Sequence, residues 1–262
     1  MKMRAKLAIG LVLVAGPQVL SPQATADKPK PATVETKPAS KADTELALDA
    51  IVAKHLTALG GADVLRATKT MTYAVTGEMA GKKFSKTTRY ARPGKVRIDL
   101  ESEGGSVSKG FDGKVAWLKK GAEAAVEMNA EDAAAFKSEA DFDEPLLDYA
   151  RRGDTLKLIG KAEIAGAPVY DLELTKASGA IEHHFLDAAT FLRVKRAWTG
   201  TYGGKTVAMA AQFADYKAVQ GRMVSHAIEF GTDTSAGKST VTQVTFDKPV
   251  DPAVFALPRK GQ

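Results

Sequence analysis

The sequence offers few side chains that do chemistry near neutral pH. There are four histidines, His55, His183, His184 and His226, and no cysteine. Glu182-His183-His184, with His226 further on, raises a metal site or an acid–base pair. Neighbours on a strand point to opposite faces, so His183 and His184 cannot share one ion without a bulge. Zinc sites have tighter ligand spacings than these. An acid–base pair among Glu182, His184 and His226 requires two of them within about 3 Å of each other. His55 lies in a predicted helix, and no Gly-x-Ser-x-Gly elbow occurs for a histidine to serve. Asp141, Asp143 and Glu144 precede Pro145 at the head of a predicted helix, where the helix dipole accounts for them. Gly104-Gly105 and Gly203-Gly204 mark turns, and neither lies between a strand and a helix as a phosphate-cradling loop must. We therefore expect no catalytic residue, no metal site and no cofactor. The strand histidines are expected to face solvent or accept ordinary hydrogen bonds.

The elements that surround these residues begin with an address. Lys2, Arg4 and Lys6 precede the apolar run Leu7–Gly16, and Ala24-Thr25-Ala26 supplies the small residues a signal peptidase reads. The run is half the ~20 residues that a spanning helix needs. We expect a secretory signal over residues 1–26, cleaved after Ala26, and a periplasmic protein. The formal net charge of +6 then loses three lysine and arginine charges and no acid, leaving +3. That balance lacks the concentrated basic stripe that nucleic-acid binding needs. Residues 27–43, rich in proline and lysine, cannot bury enough surface to offset ordering, so a disordered linker is expected there. With no cysteine, neither a disulfide nor an N-terminal lipid anchor is available.

Residues 44–262 read as a single domain. Leu48, Ile51, Val52, Leu56 and Leu59 share a face of a helix over Thr44–Leu59, and Gly60-Gly61 stops it. The period then changes to alternation, with strands predicted over 69–80, 82–91, 95–101, 107–111 and 115–119. Turn residues separate them at the spacing of an antiparallel meander. Val96, Ile98 and Leu100 face one way, against Lys95, Arg97, Asp99 and Glu101. Asn129 caps a helix through Ser138, and Asp143-Glu144-Pro145 starts a second through Arg152. Alternation returns over 155–165, 168–176, 181–186, 192–199, 206–219, 222–231 and 239–248. Tyr170, Leu172 and Leu174 alternate with Asp171 and Glu173. The fold class is mainly β: one large curved antiparallel sheet forming an unclosed barrel, covered by the N-terminal helix and a mid-chain helical lid. Its interior is either a packed core or an apolar cavity. The candidates to line a cavity are Val96, Ile98, Leu100, Trp117, Leu146, Leu147, Leu172, Leu174, Phe185 and Phe230.

Five stretches carry a family resemblance. They are Tyr90–Asp99 (YARPGKVRID), Phe111–Trp117 (FDGKVAW), Glu144–Arg152 (EPLLDYARR), Phe185–Leu192 (FLDAATFL) and Val250–Pro258 (VDPAVFALP). In that order the chain resembles the LolA/LolB-like periplasmic lipoprotein carriers, the outer-membrane lipoprotein-sorting superfamily. The resemblance implies an apolar interior that takes lipid acyl chains under a helical lid. It also implies a lid-tethering role for Arg92, the arginine before the hairpin proline. The expected function is a non-enzymatic hydrophobic-ligand carrier and chaperone, a monomer, that binds lipid or lipoprotein acyl chains for transport towards the outer membrane. An inner- or outer-membrane protein is its expected partner. The alternative is an envelope protein-interaction or stress-sensor module with a packed barrel and no lipid cargo. The chain departs from the lipoprotein receptors of the superfamily in having no cysteine to carry lipid.

Overall fold

A computed structural model describes residues 36–38, 41–202, 205–232 and 234–259. The expected signal over 1–26 lies outside the described residues. The expected linker over 27–43 needs correction at its end. Thr36–Pro38 forms an edge strand, β1, paired with residues 160–162, and helix α1 begins at Lys41.

After α1 (Lys41–Ala58) and a short α2 (Ala62–Ala67) come β2 (Thr70–Met79), β3 (Lys82–Ala91), β4 (Lys95–Ser102), β5 (Gly105–Phe111), β6 (Ala116–Lys120) and β7 (Val126–Glu127). Helix α3 (Ala130–Lys137) and two 3-10 turns, Ser138–Ala140 and Tyr149–Arg152, occupy the middle of the chain. Then follow β8 (Thr155–Ile164), β9 (Ala167–Thr175), β10 (Ile181–Asp187), β11 (Arg193–Tyr202), β12 (Lys205–Val219), β13 (Arg222–Thr232) and β14 (Ser235–Phe246). A last 3-10 turn covers Pro252–Phe255. All strands join one antiparallel sheet in the order β1-β8-β9-β10-β11-β12-β13-β14-β2-β3-β4-β5-β6-β7. The two ends of that order do not pair, so the barrel is unclosed.

The sheet must curl. Phe136 and Ala140 pack on residues of β3–β6, while Leu146 packs on β8–β10. The chain from Ala140 to Leu146 reaches at most about 20 Å. In a flat sheet β9 and β4, eight places apart in the strand order, would be about 38 Å apart. Only a curved sheet with both walls facing inward meets both contacts. α1 covers the β8–β10 wall through Ile51 and Val52, and α3 covers the β3–β6 wall through Phe136. The alternation of β4 places Val96, Ile98 and Leu100 on the concave face, each nearly fully buried.

Bulges change which residues face inward. In β8 the register shifts between Leu158 and Gly160. Leu156 and Leu158 therefore face the concave side, while Ala162 pairs with Val169 and packs with Phe185 on the convex side. In β14 a shift between Val241 and Gln243 lets Val241 and Val244 both point inward, paired with Val75 and Tyr73. Such an extra residue swaps the face of everything after it.

The helix expected over 143–152 is an open turn followed by one 3-10 turn. Asp148 has φ 51°, in the left-handed region, which breaks an α-helix before it starts. α2 was not expected after Gly60-Gly61. At Gly60, φ is 118° and a Cβ would meet the Gly221 carbonyl oxygen at 2.3 Å, so the close approach of α1 to the β12–β13 turn demands glycine.

Candidate functional site

The concave face has three apolar patches. Two lie under α1 and α3. The third, at the centre, is built from strand residues alone: Val75, Phe84, Leu100, Ala211, Ile228, Phe230, Val241, Val244 and Phe246. Tyr73, Met79, Trp198, Phe213 and Val224 pack against it and remain partly exposed. Within it Phe84 and Phe230 meet edge to face, 6.4 Å between ring centres. Each ring lies over a glycine of the strands between them, Gly77 under Phe84 and Gly237 under Phe230, where a Cβ would sit 2.6 Å from ring carbon. On the convex side of the same strands a groove of about 510 Å³ runs between the outward rows Ala227–Thr240–Thr76 and Glu229–Lys238–Glu78–Lys83, away from these rings.

The segment that crosses the open side is held by three arginines from three elements. Arg92, at the end of β3, donates to both carboxylate oxygens of Asp143 and, through Nε, to the Thr68 carbonyl oxygen at 2.7 Å. Arg193 of β11 donates to Glu144. Arg66 of α2 grips Asp148 with two bonds of 2.7 and 2.8 Å. Asp143 and Glu144 are adjacent in the chain, yet they bind opposite walls. Arg152 adds bonds to the carbonyls of Pro145 and Leu147. Asp143 raises the pKa of Arg92 further, chiefly through its hydrogen bond. Burial opposes ionisation of Glu144, but Arg193 and His55 outweigh it and hold the carboxyl well below the usual range. His55 of α1 is fully buried, with Nδ1 2.7 Å from the Phe191 carbonyl oxygen and Nε2 3.3 Å from Glu144. Of the acids read as helix-dipole partners, Asp143 and Glu144 are thus arginine partners and Asp141 accepts from the Asp143 N–H, and there is no helix at that point for a dipole to act.

The sequence-predicted residues divide between the faces. Val96, Ile98, Leu100, Leu172, Leu174 and Phe230 lie on the concave face. Leu146 packs under α1 in the crossing segment, and Leu147 beside it is buried. Trp117 and Phe185 do not face inward. Trp117 pairs with Gly110 on the convex side, and its Nε1 donates to the Phe255 carbonyl oxygen at 2.8 Å under the C-terminal turn. Phe185 shares the convex face with Val169 because its neighbours His184 and Leu186 point inward. Alternation fixes which residues share a face but not which face is concave, and aromatic character misled here.

Glu182 and His184, two apart on β10, also face inward, with Oε2 and Nε2 separated by 3.2 Å. That separation satisfies the distance set for an acid–base pair. The surroundings do not suit the task. Arg196 binds both Glu182 oxygens at 3.0 and 2.8 Å. Burial pushes His184 down to about 4, with Arg193 and Arg196 pushing the same way. Burial opposes ionisation of Glu182, but His184 and Arg196 hold its carboxyl down to about 2. The result is a neutral, fully buried imidazole beside a carboxylate committed to a guanidinium. His226 lies three strands away in sheet order, bonded to the Val224 carbonyl. His183 points outward to Asp171, 2.8 Å away, which raises its pKa. Among the described residues no three His, Asp or Glu side chains converge in a way that could hold a metal.

No protein-family model matches the sequence, and a search of the curated proteins finds no match. Solved structures do match in shape. A LolA superfamily protein from Nitrosomonas europaea superposes with a TM-score of 0.55 at 10% identity, over 79% of this chain and 96% of that one. A DUF1329 family protein from Desulfovibrio piger gives 0.53 at 12% identity, over 79% and 96%. A putative outer membrane lipoprotein-sorting protein domain from Vibrio parahaemolyticus gives 0.51 at 12% identity, over 79% and 94%. At these identities the likeness is one of fold, and the chain has the LolA-like fold, a mainly antiparallel sheet curled into an unclosed barrel.

Proposed function

We propose that the protein is a periplasmic carrier that holds lipid, or the acyl chains of a lipoprotein, for transfer towards the outer membrane. One observation carries the reading: the central concave patch is apolar, is made of strand residues alone, and keeps aromatic and methionine side chains partly exposed. A globular protein normally covers such a surface. An acyl chain laid against it gains about 0.8 kcal/mol per CH₂ removed from water. The LolA-like fold and the signal-like residues 1–26 support an envelope setting. Among the described residues no helix is long and apolar enough to cross a membrane. The protein works without a catalytic step of its own. Arg92, with Arg66 and Arg193, keeps the crossing segment shut over the barrel. A membrane-protein partner that loosens these ion pairs opens the face and releases the cargo.

The test is organic extraction and mass spectrometry of the protein secreted into the periplasm. The expected result is a co-purified acyl lipid, near one per chain, that competes with an added fluorescent acyl probe. A protein that carries no lipid and takes up no acyl probe overturns the carrier reading. The interaction-module reading would then stand in its place.

A further inference from the structure

We propose that the outward face of β13, β14, β2 and β3 is an interface between two copies of this chain. The two are related by a two-fold axis that runs along the strands, between β14 and β2. The inference stands apart from the carrier reading and survives its failure.

The face carries an ordered row of charge. Register sets Glu229 of β13 beside Lys238 of β14, Lys238 beside Glu78 of β2, and Glu78 beside Lys83 of β3. Across the sheet the order is acid, base, acid, base. Two residues along the strands the next outward row is Ala227, Thr240, Thr76 and Ser85, all small. The groove of about 510 Å³ runs between these rows. Lys83, Glu229 and Lys238 are exposed, and Glu78 is partly so. Opposite charges across a strand pair can stabilise a sheet by pairing with each other. These do not: among the described residues none of the four side chains makes a hydrogen bond or an ion pair.

A row of this order fits itself when turned round. A two-fold axis along the strands reverses it, as a self-complementary interface requires. Glu229 then faces Lys83 of the second copy, and Lys238 faces Glu78 of the second copy. Each contact occurs twice. An axis across the strands would instead set like charge on like and repel. The small row also meets itself reversed, Ala227 against Ser85 and Thr240 against Thr76. With no bulk in that row the sheets can approach, and the groove takes the methylene stems of the lysines and glutamates. Packed sheets lie within about 30° of alignment, and that twist displaces the residues nearest the axis least. Lys238 and Glu78 are therefore the decisive contact. The two concave faces point away from each other and stay open. The rows hold eight residues a side, against roughly 20–30 in a standard interface, so the dimer is weak and reversible. The monomer expected from the sequence is its dilute form.

The test is sedimentation equilibrium of the secreted protein from about 1 μM to 1 mM, the range in which a weak dimer forms. The native chain is expected to dimerise, with Kd rising at least about tenfold between about 0.05 and 0.5 M salt. Glu78→Lys sets lysine against Lys238 at both central contacts, and Lys238→Glu sets glutamate against Glu78. Each variant alone should stay monomeric throughout the range. An equal mixture of the two restores opposite charges at both contacts and should dimerise like the native chain, as should the chain that carries both changes. Recovery in the mixture also shows that each variant is folded. A native chain that stays monomeric, a dimer that persists in both single variants, or a mixture that does not recover it overturns the proposal.

Discussion

At the residue scale, the arginine pairs and the buried titratable groups do most of the work. The Arg92–Asp143 contact is partly exposed, so its worth is modest despite two bonds to the carboxylate. A double-mutant cycle with Arg92→Ala and Asp143→Ala should show a coupling of about 1 kcal/mol in urea unfolding. Purely additive losses would show that the crossing segment is held by other contacts. Two buried groups respond to acid with opposite sign. His184 is pushed down to about 4, so the unfolded chain binds the extra proton between 6.5 and 4. Its contribution is intact above 6.5 and is lost as pH falls to about 4. Glu139 is pushed up to about 7 from 4.5, so the folded chain binds the extra proton. Its contribution is intact below 4.5 and is lost as pH rises to about 7. The two oppose each other between about pH 4.5 and 6.5. Unfolding free energies measured across that window should fall with acid more steeply in Glu139→Gln than in the native chain. If the two slopes match, Glu139 is not buried as described.

At the scale of elements, what matters is where one piece of chain lies on another. The C-terminal turn seals the convex face through Phe255, which is 1% exposed, and through its carbonyl bond to Trp117. Phe255→Ala should cost about 3 kcal/mol and shift Trp117 emission to the red. An unshifted spectrum would place the turn elsewhere. On β5, Gly110 lies under the Trp117 ring, and a Cβ there would come within 2.4 Å of the indole. Both rings of the indole are hemmed in, so Gly110→Ala should cost about 1–3 kcal/mol. Alternation made most strands legible, because a half-buried strand must repeat every second residue. β4 follows it closely, while in β9 Asp171 on the outer face is buried beside Leu172 on the inner one. The bulges in β8 and β14 were not legible, since an inserted residue leaves the apolar spacing nearly unchanged while it reverses the faces. The same ambiguity sent Trp117 and Phe185 to the wrong side.

At the scale of the molecule, the crossing segment converts a meander into a container. The chain leaves one edge of the sheet at β7 and resumes next to the other at β8, so the connection spans the open mouth. Its adjacent acids, Asp143 and Glu144, bind walls that are five places apart in sheet order. This closure is electrostatic and partly exposed, and it should therefore weaken with salt. Uptake of an acyl probe should become faster as ionic strength rises from about 0.01 to 1 M, with Arg92→Ala showing less of the effect. Rates that do not change with salt would argue that the mouth is open at rest.

By itself the sequence determined the export signal as an expectation, the helix-then-meander order and the single curved sheet. These follow from local rules: charge before an apolar run, a period of two, and glycine or proline at turns. The lack of cysteine also ruled out disulfides as a support of the fold. Only the tertiary structure decided which wall each face joins. It decided that Glu182 and His184 face inward together, and that the acids at 143, 144 and 148 meet arginines rather than cap a helix. Those facts depend on strands far apart in sequence being brought together by curvature, and no local pattern encodes that distance.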